Sequence, residues 1–177
     1  NWWVDGNYVS GGEVRKSLLE LGYAVFAMDA QSHGDRIAVN EYAPVNHFAD
    51  PSLGLNPRKG YFTQREIYIQ TVRDSRRGID YLQTRSEIDM KRLGGFGYSM
   101  GGAQAYLLCG VDSRIKGAVS CAAPRDPVRE SPIAPHNFLY GLGDRPFLTI
   151  MGRTDELCPL FFAQQIYEMN PSSGKEQ

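Results

Sequence analysis

The sequence predicts an α/β fold, a mostly parallel sheet with helices on both faces, and three observations carry that prediction. From Gly22 onward short apolar runs alternate with longer amphipathic stretches, every run is short enough for a buried strand, and the stretches between them have helical spacing. A chain of 177 residues, 42% hydrophobic and 22% charged, is long enough to bury a core, and its length favours one domain over residues 1–177.

The elements follow in order. Val14, Leu18 and Leu21 recur at helical spacing and Gly22 stands where a left-handed stop belongs, so a helix is expected from about Gly12 to Leu21. Tyr23 to Met28, YAVFAM, is the first expected strand. Residues Ala38 to Thr63 then interleave Pro44, Pro51, Gly54, Pro57 and Gly60 with four aromatic residues, which predicts a long loop. Two readings stay open for it, a flap that touches substrate and a passive insertion. Tyr68, Val72, Ser75, Ile79 and Leu82 mark one face of a second helix, with Arg73, Asp74, Arg76, Arg77 and Asp80 on the others. Strands are expected at Leu93 to Phe96, Ala118 to Cys121 and Phe147 to Met151, and helices at Gly102 to Leu108 and Pro159 to Met169. Pro124 to Arg145 is read as irregular.

Charge narrows the function classes. Nineteen Lys and Arg against 20 Asp and Glu give a net charge of -1 without a run of like sign, so no nucleic-acid partner is expected. No apolar stretch approaches the roughly 20 residues of a membrane-spanning helix. Cys109, Cys121 and Cys158 lack paired spacing and are read as buried structural thiols, and the histidines and cysteines show no metal-ligand pattern. No cofactor and no metal are expected.

The chemistry concentrates at Gly97-Tyr98-Ser99-Met100-Gly101, a GxSxG motif between a strand-like and a helix-like run. A serine on such a sharp turn is held in strained backbone angles, and glycines two positions to either side are expected to remove colliding side chains. The helix start behind it offers free amides, with the Met100 N–H as an oxyanion donor. The competing reading is a glycine-rich turn whose serine merely caps a helix.

GFGYSMGG preceded by EIDMKRL resembles the nucleophile region of α/β-hydrolases in the acetyl xylan esterase and dienelactone hydrolase-like group. GYAVFAMDAQSHGDR looks like the group's fourth strand and following loop, RRGIDYLQTRSEID like the helix before the nucleophile strand, and FLTIMGRTDELCP like its seventh strand with the triad acid. The resemblance runs from about Gly11 to Phe162. It implies an α/β-hydrolase fold, Ser99 as nucleophile and Asp155 as the acid that orients a catalytic imidazole, with Asp126 as the fallback. The plain reading of Asp155 is a cap for the next helix.

In this group the order is serine, acid, histidine, yet His33, His47 and His136 all precede Asp155. The chain also opens on Asn1, so a fragment lacking the early strands and the last strand is expected, with the base beyond Gln177. A rival placement makes His33-Gly34 the oxyanion loop, and His136 is a candidate to approach the site. The implied activity is hydrolysis of a small-molecule or carbohydrate ester through an acyl-enzyme. A peptidase of the oligopeptidase type and a catalytically silent binding protein are the alternatives; compartment and oligomeric state are left open.

Overall fold

The computed structural model describes residues 12–31, 33, 36, 64–124, 131–156 and 158–170. They fall in two units, Asn1–Arg73 and Asp74–Gln177. The loop expected at Ala38 to Thr63, His47 and Asp126 lie outside the described residues.

In the first unit, helix α1 spans Gly12–Glu20 and closes as its sequence predicts. Gly22 takes φ +83°. Its N–H donates to the Leu19 carbonyl at 3.0 Å and the Tyr23 N–H to the Leu18 carbonyl at 2.9 Å, the paired bonds that satisfy a helix's last carbonyls. Tyr23 to Met28, expected as a strand, is irregular and joins no ladder among the described residues. Tyr23 and Phe26 stand exposed. An apolar run supplies side chains for a strand but not the neighbouring backbone that would pair with it.

Helix α2 spans Gln64–Gln83, and the division between the units falls within it. Tyr68, Val72 and Ile79 of the predicted stripe are buried, joined by Ile67 and Thr71, while Ser75 and Leu82 are half-buried.

The second unit contains three parallel strands in the order β1, β2, β3: Gly94–Tyr98, Gly117–Cys121 and Phe147–Ile150. Helix α3, Met100–Val111, crosses from β1 to β2, and the one-turn α4, Leu139–Leu142, precedes β3. Helix α5, Leu160–Met169, follows β3 with Pro159 as its N-cap. The register sets Gly95 beside Ala118 beside Phe147, and Gly97 beside Ser120 beside Thr149, so on one pleat face β1 and β2 carry only small residues under α3. That smallness brings the helix close. Ser120, fully buried, donates to the Gly102 carbonyl at 3.0 Å, Tyr106 hydrogen-bonds Thr149, and its ring lies 4.2 Å from that of Phe147. The opposite pleat face aligns Phe96, Val119 and Leu148 in one row and Tyr98, Cys121 and Ile150 in the next. Phe96, Tyr98, Leu148 and Ile150 are each about half exposed.

Arginines hold the connections. Arg114 grips both oxygens of the buried Asp112 carboxylate at 2.8 and 2.6 Å and reaches Asp80 on α2 at 2.6 Å. Arg76 adds a bond to Asp112 at 3.2 Å. Arg145 donates to the carbonyls of Asp112, Ile115 and Leu142, closing the segment before β3 against the end of α3.

Candidate active site

Strand β1 ends at Tyr98 and α3 begins at Met100, so the whole reversal rests on Ser99. Ser99 has φ +53° and ψ -115°, a conformation that costs a side-chain-bearing residue on the order of 1–3 kcal/mol. Its N–H donates to the Cys121 carbonyl at 2.8 Å, and its carbonyl accepts the first helical bond, from Ala103 at 3.1 Å. Its side chain makes no capping bond. The plain reading of Ser99 as a helix cap therefore lacks the bond that defines a cap. Ser99 is half-buried at the carboxyl end of the sheet.

Met100 is the first residue of α3, with its side chain buried. Its N–H and that of Gly101 belong to the first turn, where a helix provides no acceptor of its own, and both sit at the positive end of the helix dipole. Such amides suit a developing oxyanion.

The glycines divide differently from the symmetrical motif. A Cβ on Gly97 would lie 1.9 Å from the Gly101 carbonyl oxygen, and one on Gly102 would lie 2.7 Å from the Cys121 oxygen. A Cβ on Gly101 would meet nothing within 4 Å. The expectation that Gly101 relieves a collision is thus corrected: its backbone forms the obstacle that Gly97 must clear, and Gly102 is the second position where bulk is forbidden.

Asp155 lies in the loop after β3, at the same end of the sheet as Ser99. Its N–H donates to the Gly152 carbonyl at 3.3 Å, and Oδ1 accepts from the Cys158 N–H at 2.8 Å. Its carboxylate thus braces its own loop, ahead of the helix capped by Pro159. The Cys158 thiol donates to the Ala122 carbonyl at 3.0 Å, and burial together with the nearby Asp155 charge pushes it up to about 11. Ala122 itself has φ +48° and donates its N–H to the Ile150 carbonyl at 2.8 Å. All three cysteines are free. The sequence shows the thiols but not these carbonyl contacts, which exist only once β2 and the loop after β3 are side by side.

Two of the histidines are described. His33, in the first unit, is buried; its ring Nδ1 lies 2.9 Å from the Gln31 carbonyl, and burial lowers its pKa below the ordinary value. Around it Arg36 donates to the Gln31 side chain at 2.6 Å, and Gln31 donates its N–H to Thr71 at 2.9 Å. His136, in the second unit, sits in the 3-10 turn Pro135–Phe138 and is half-buried. Among the described residues no group of three or more His, Cys, Asp or Glu is arranged to hold a metal, and no helix is long and apolar enough to cross a membrane.

Known proteins share this fold. The solved Pyrococcus horikoshii acylaminoacyl peptidase superposes with a TM-score of 0.54 at 18% identity, over 63% of this chain and 22% of its own. A promiscuous CE15 esterase from the marine bacterial metagenome superposes at 0.52 and 16% identity, over 81% of this chain and 45% of its own. The Bacillus subtilis (strain 168) protein named "Putative hydrolase YtaP" is 27% identical over 172 residues, 86% of this chain, and the chain spans 54% of that relative's length. The fold is that of the α/β-hydrolases. The dienelactone hydrolase family model matches residues 6–169, and the chain belongs to that family.

Proposed function

We propose that the protein is a serine hydrolase that cleaves carboxylic esters through an acyl-enzyme on Ser99, with Asp155 orienting the catalytic imidazole and the Met100 N–H donating to the oxyanion. The observation that carries this reading is the strained backbone of Ser99 at the junction of β1 and α3. Strain of that kind, in a residue whose side chain caps nothing, is a cost that a reactive hydroxyl at a helix start would repay. Asp155 supports it from the same end of the sheet. Strands β1 and β3 stand two spacings apart, roughly 10 Å, a gap suited to an imidazole between a hydroxyl and a carboxylate. The family match runs through both units, which supports reading residues 1–177 as one hydrolase domain.

The substrate in this reading is a small-molecule or carbohydrate ester. A serine at the elbow argues for acyl transfer to water, and the esterase among the structural neighbours agrees with it. The acylaminoacyl peptidase neighbour favours amide cleavage as the second reading. The base is a histidine that this reading requires without naming; the turn that carries His136 packs through Phe138 on Gly110, near the end of α3 away from Ser99.

The test is to trap the intermediate. Acid quenching of the full-length protein during turnover of p-nitrophenyl acetate should leave an acetyl group on the peptide containing Ser99, and Asp155→Asn should slow its formation by roughly a thousandfold or more. Modification elsewhere, or none during turnover, would refute the acyl-enzyme. A preference for an acylaminoacyl anilide over the matching ester would select the peptidase reading.

A further inference from the structure

Hydrogen bonds connect the Ser99 backbone to the Asp155 carboxylate. The Ser99 N–H is held by the Cys121 carbonyl at 2.8 Å; the next carbonyl, that of Ala122, accepts the Cys158 thiol at 3.0 Å; and the Cys158 N–H holds Asp155 Oδ1 at 2.8 Å. Two adjacent carbonyls, of the last residue of β2 and of the residue after it, thus anchor the nucleophile on one side and the acid's loop on the other.

The turn is well fixed for that task. Ala122 adopts φ +48°, a left-handed conformation that costs an alanine roughly 1–2 kcal/mol and changes the direction in which its carbonyl points relative to a continuing strand. Its N–H is tied to Ile150 of β3 at 2.8 Å, and Ala122 and Ala123 are both buried. Gly102 packs so closely on the Cys121 carbonyl that no side chain fits between them. The turn is therefore clamped by α3 and β3 together.

We propose that Cys158 is a positioning residue for the Ser99 and Asp155 pair, its thiol fastening the loop that carries the acid to the turn that holds the nucleophile. This inference rests on the serine hydrolase reading above. Cys158 is buried, so its thiol is sheltered from bulk oxidants and kept from acting as a nucleophile. Burial also keeps it protonated, with its pKa pushed up to about 11, and a protonated thiol is the form that donates to a carbonyl. Removing that donor takes from the Ala122 carbonyl its thiol partner among the described residues and frees the loop to drift, and displacements near 1 Å in a catalytic group cost up to roughly a hundredfold in rate.

The experiment compares steady-state hydrolysis of p-nitrophenyl acetate by the full-length protein, Ser99→Ala, Cys158→Ala and Cys158→Ser, each checked for folding by circular dichroism. Cys158→Ala should lower kcat about ten- to hundredfold with KM unchanged, and Cys158→Ser, which restores a donor, should recover most of the loss. Should Cys158→Ala not fold, Cys158→Val fills the thiol's volume without a donor and takes its place. Wild-type kcat in the folded donor-free variant, or a serine variant as slow as the alanine one, overturns the inference while the Ser99 reading stands. Turnover that survives Ser99→Ala, or no turnover at all, overturns that reading and this inference with it.

Discussion

At the scale of single residues, the turn at Ser99 is governed by where a Cβ can and cannot go. Gly97 and Gly102 face backbone oxygens at 1.9 and 2.7 Å, whereas Gly101 faces open space. Gly97→Ala should therefore destabilise the protein by about 3 kcal/mol or more, the upper range for overpacking, while Gly101→Ala should leave the urea-derived unfolding free energy within about 0.5 kcal/mol of wild type. Equal effects at the two positions would contradict the geometry. The motif itself was legible because GxSxG needs only local spacing. What it hid is that its two glycines are unequal and that Gly102, just outside it, is constrained by the Cys121 carbonyl, which strand pairing brings close. The bond from Cys158 to Ala122 was hidden for the same reason: it joins residues 36 apart in the chain.

At the scale of elements, helices were read more reliably than strands. The stripe of α2 and the glycine stop of α1 are local properties, and both appear where the spacing puts them. Leu93 to Phe96, Ala118 to Cys121 and Phe147 to Met151 also became strands within a residue or two, and each has a parallel partner. Tyr23 to Met28 has a similar composition and no partner among the described residues. The ion cluster joining α2 to the end of α3 was not legible either, because Asp80, Asp112 and Arg114 look like ordinary surface charges in sequence. Its strength is testable. The bonds from Arg114, aided by Arg76, hold the Asp112 carboxyl down at about 2 despite its burial. A carboxylate depressed in the folded state contributes stability above its unfolded pKa of about 3.9 and loses it as pH falls through the folded value. Unfolding free energy should thus drop by about 2 kcal/mol between roughly pH 4 and pH 2, and Asp112→Asn should remove that component from the urea-derived pH profile. An unchanged profile in the variant would assign the acid sensitivity to other carboxylates.

At the scale of the whole molecule, the α/β-hydrolase fold was legible from the rhythm of apolar runs together with one motif, and the family match over residues 6–169 agrees. The identity of the base was not legible, because a triad is assembled in space and its members follow no fixed spacing. The role of Ser99 as the nucleophile of an ester hydrolase is tested by p-nitrophenyl acetate turnover by the full-length protein beside its Ser99→Ala variant, both folded by circular dichroism. Turnover is expected in the wild type and only the uncatalysed background in the variant. Equal rates from the two proteins would contradict it.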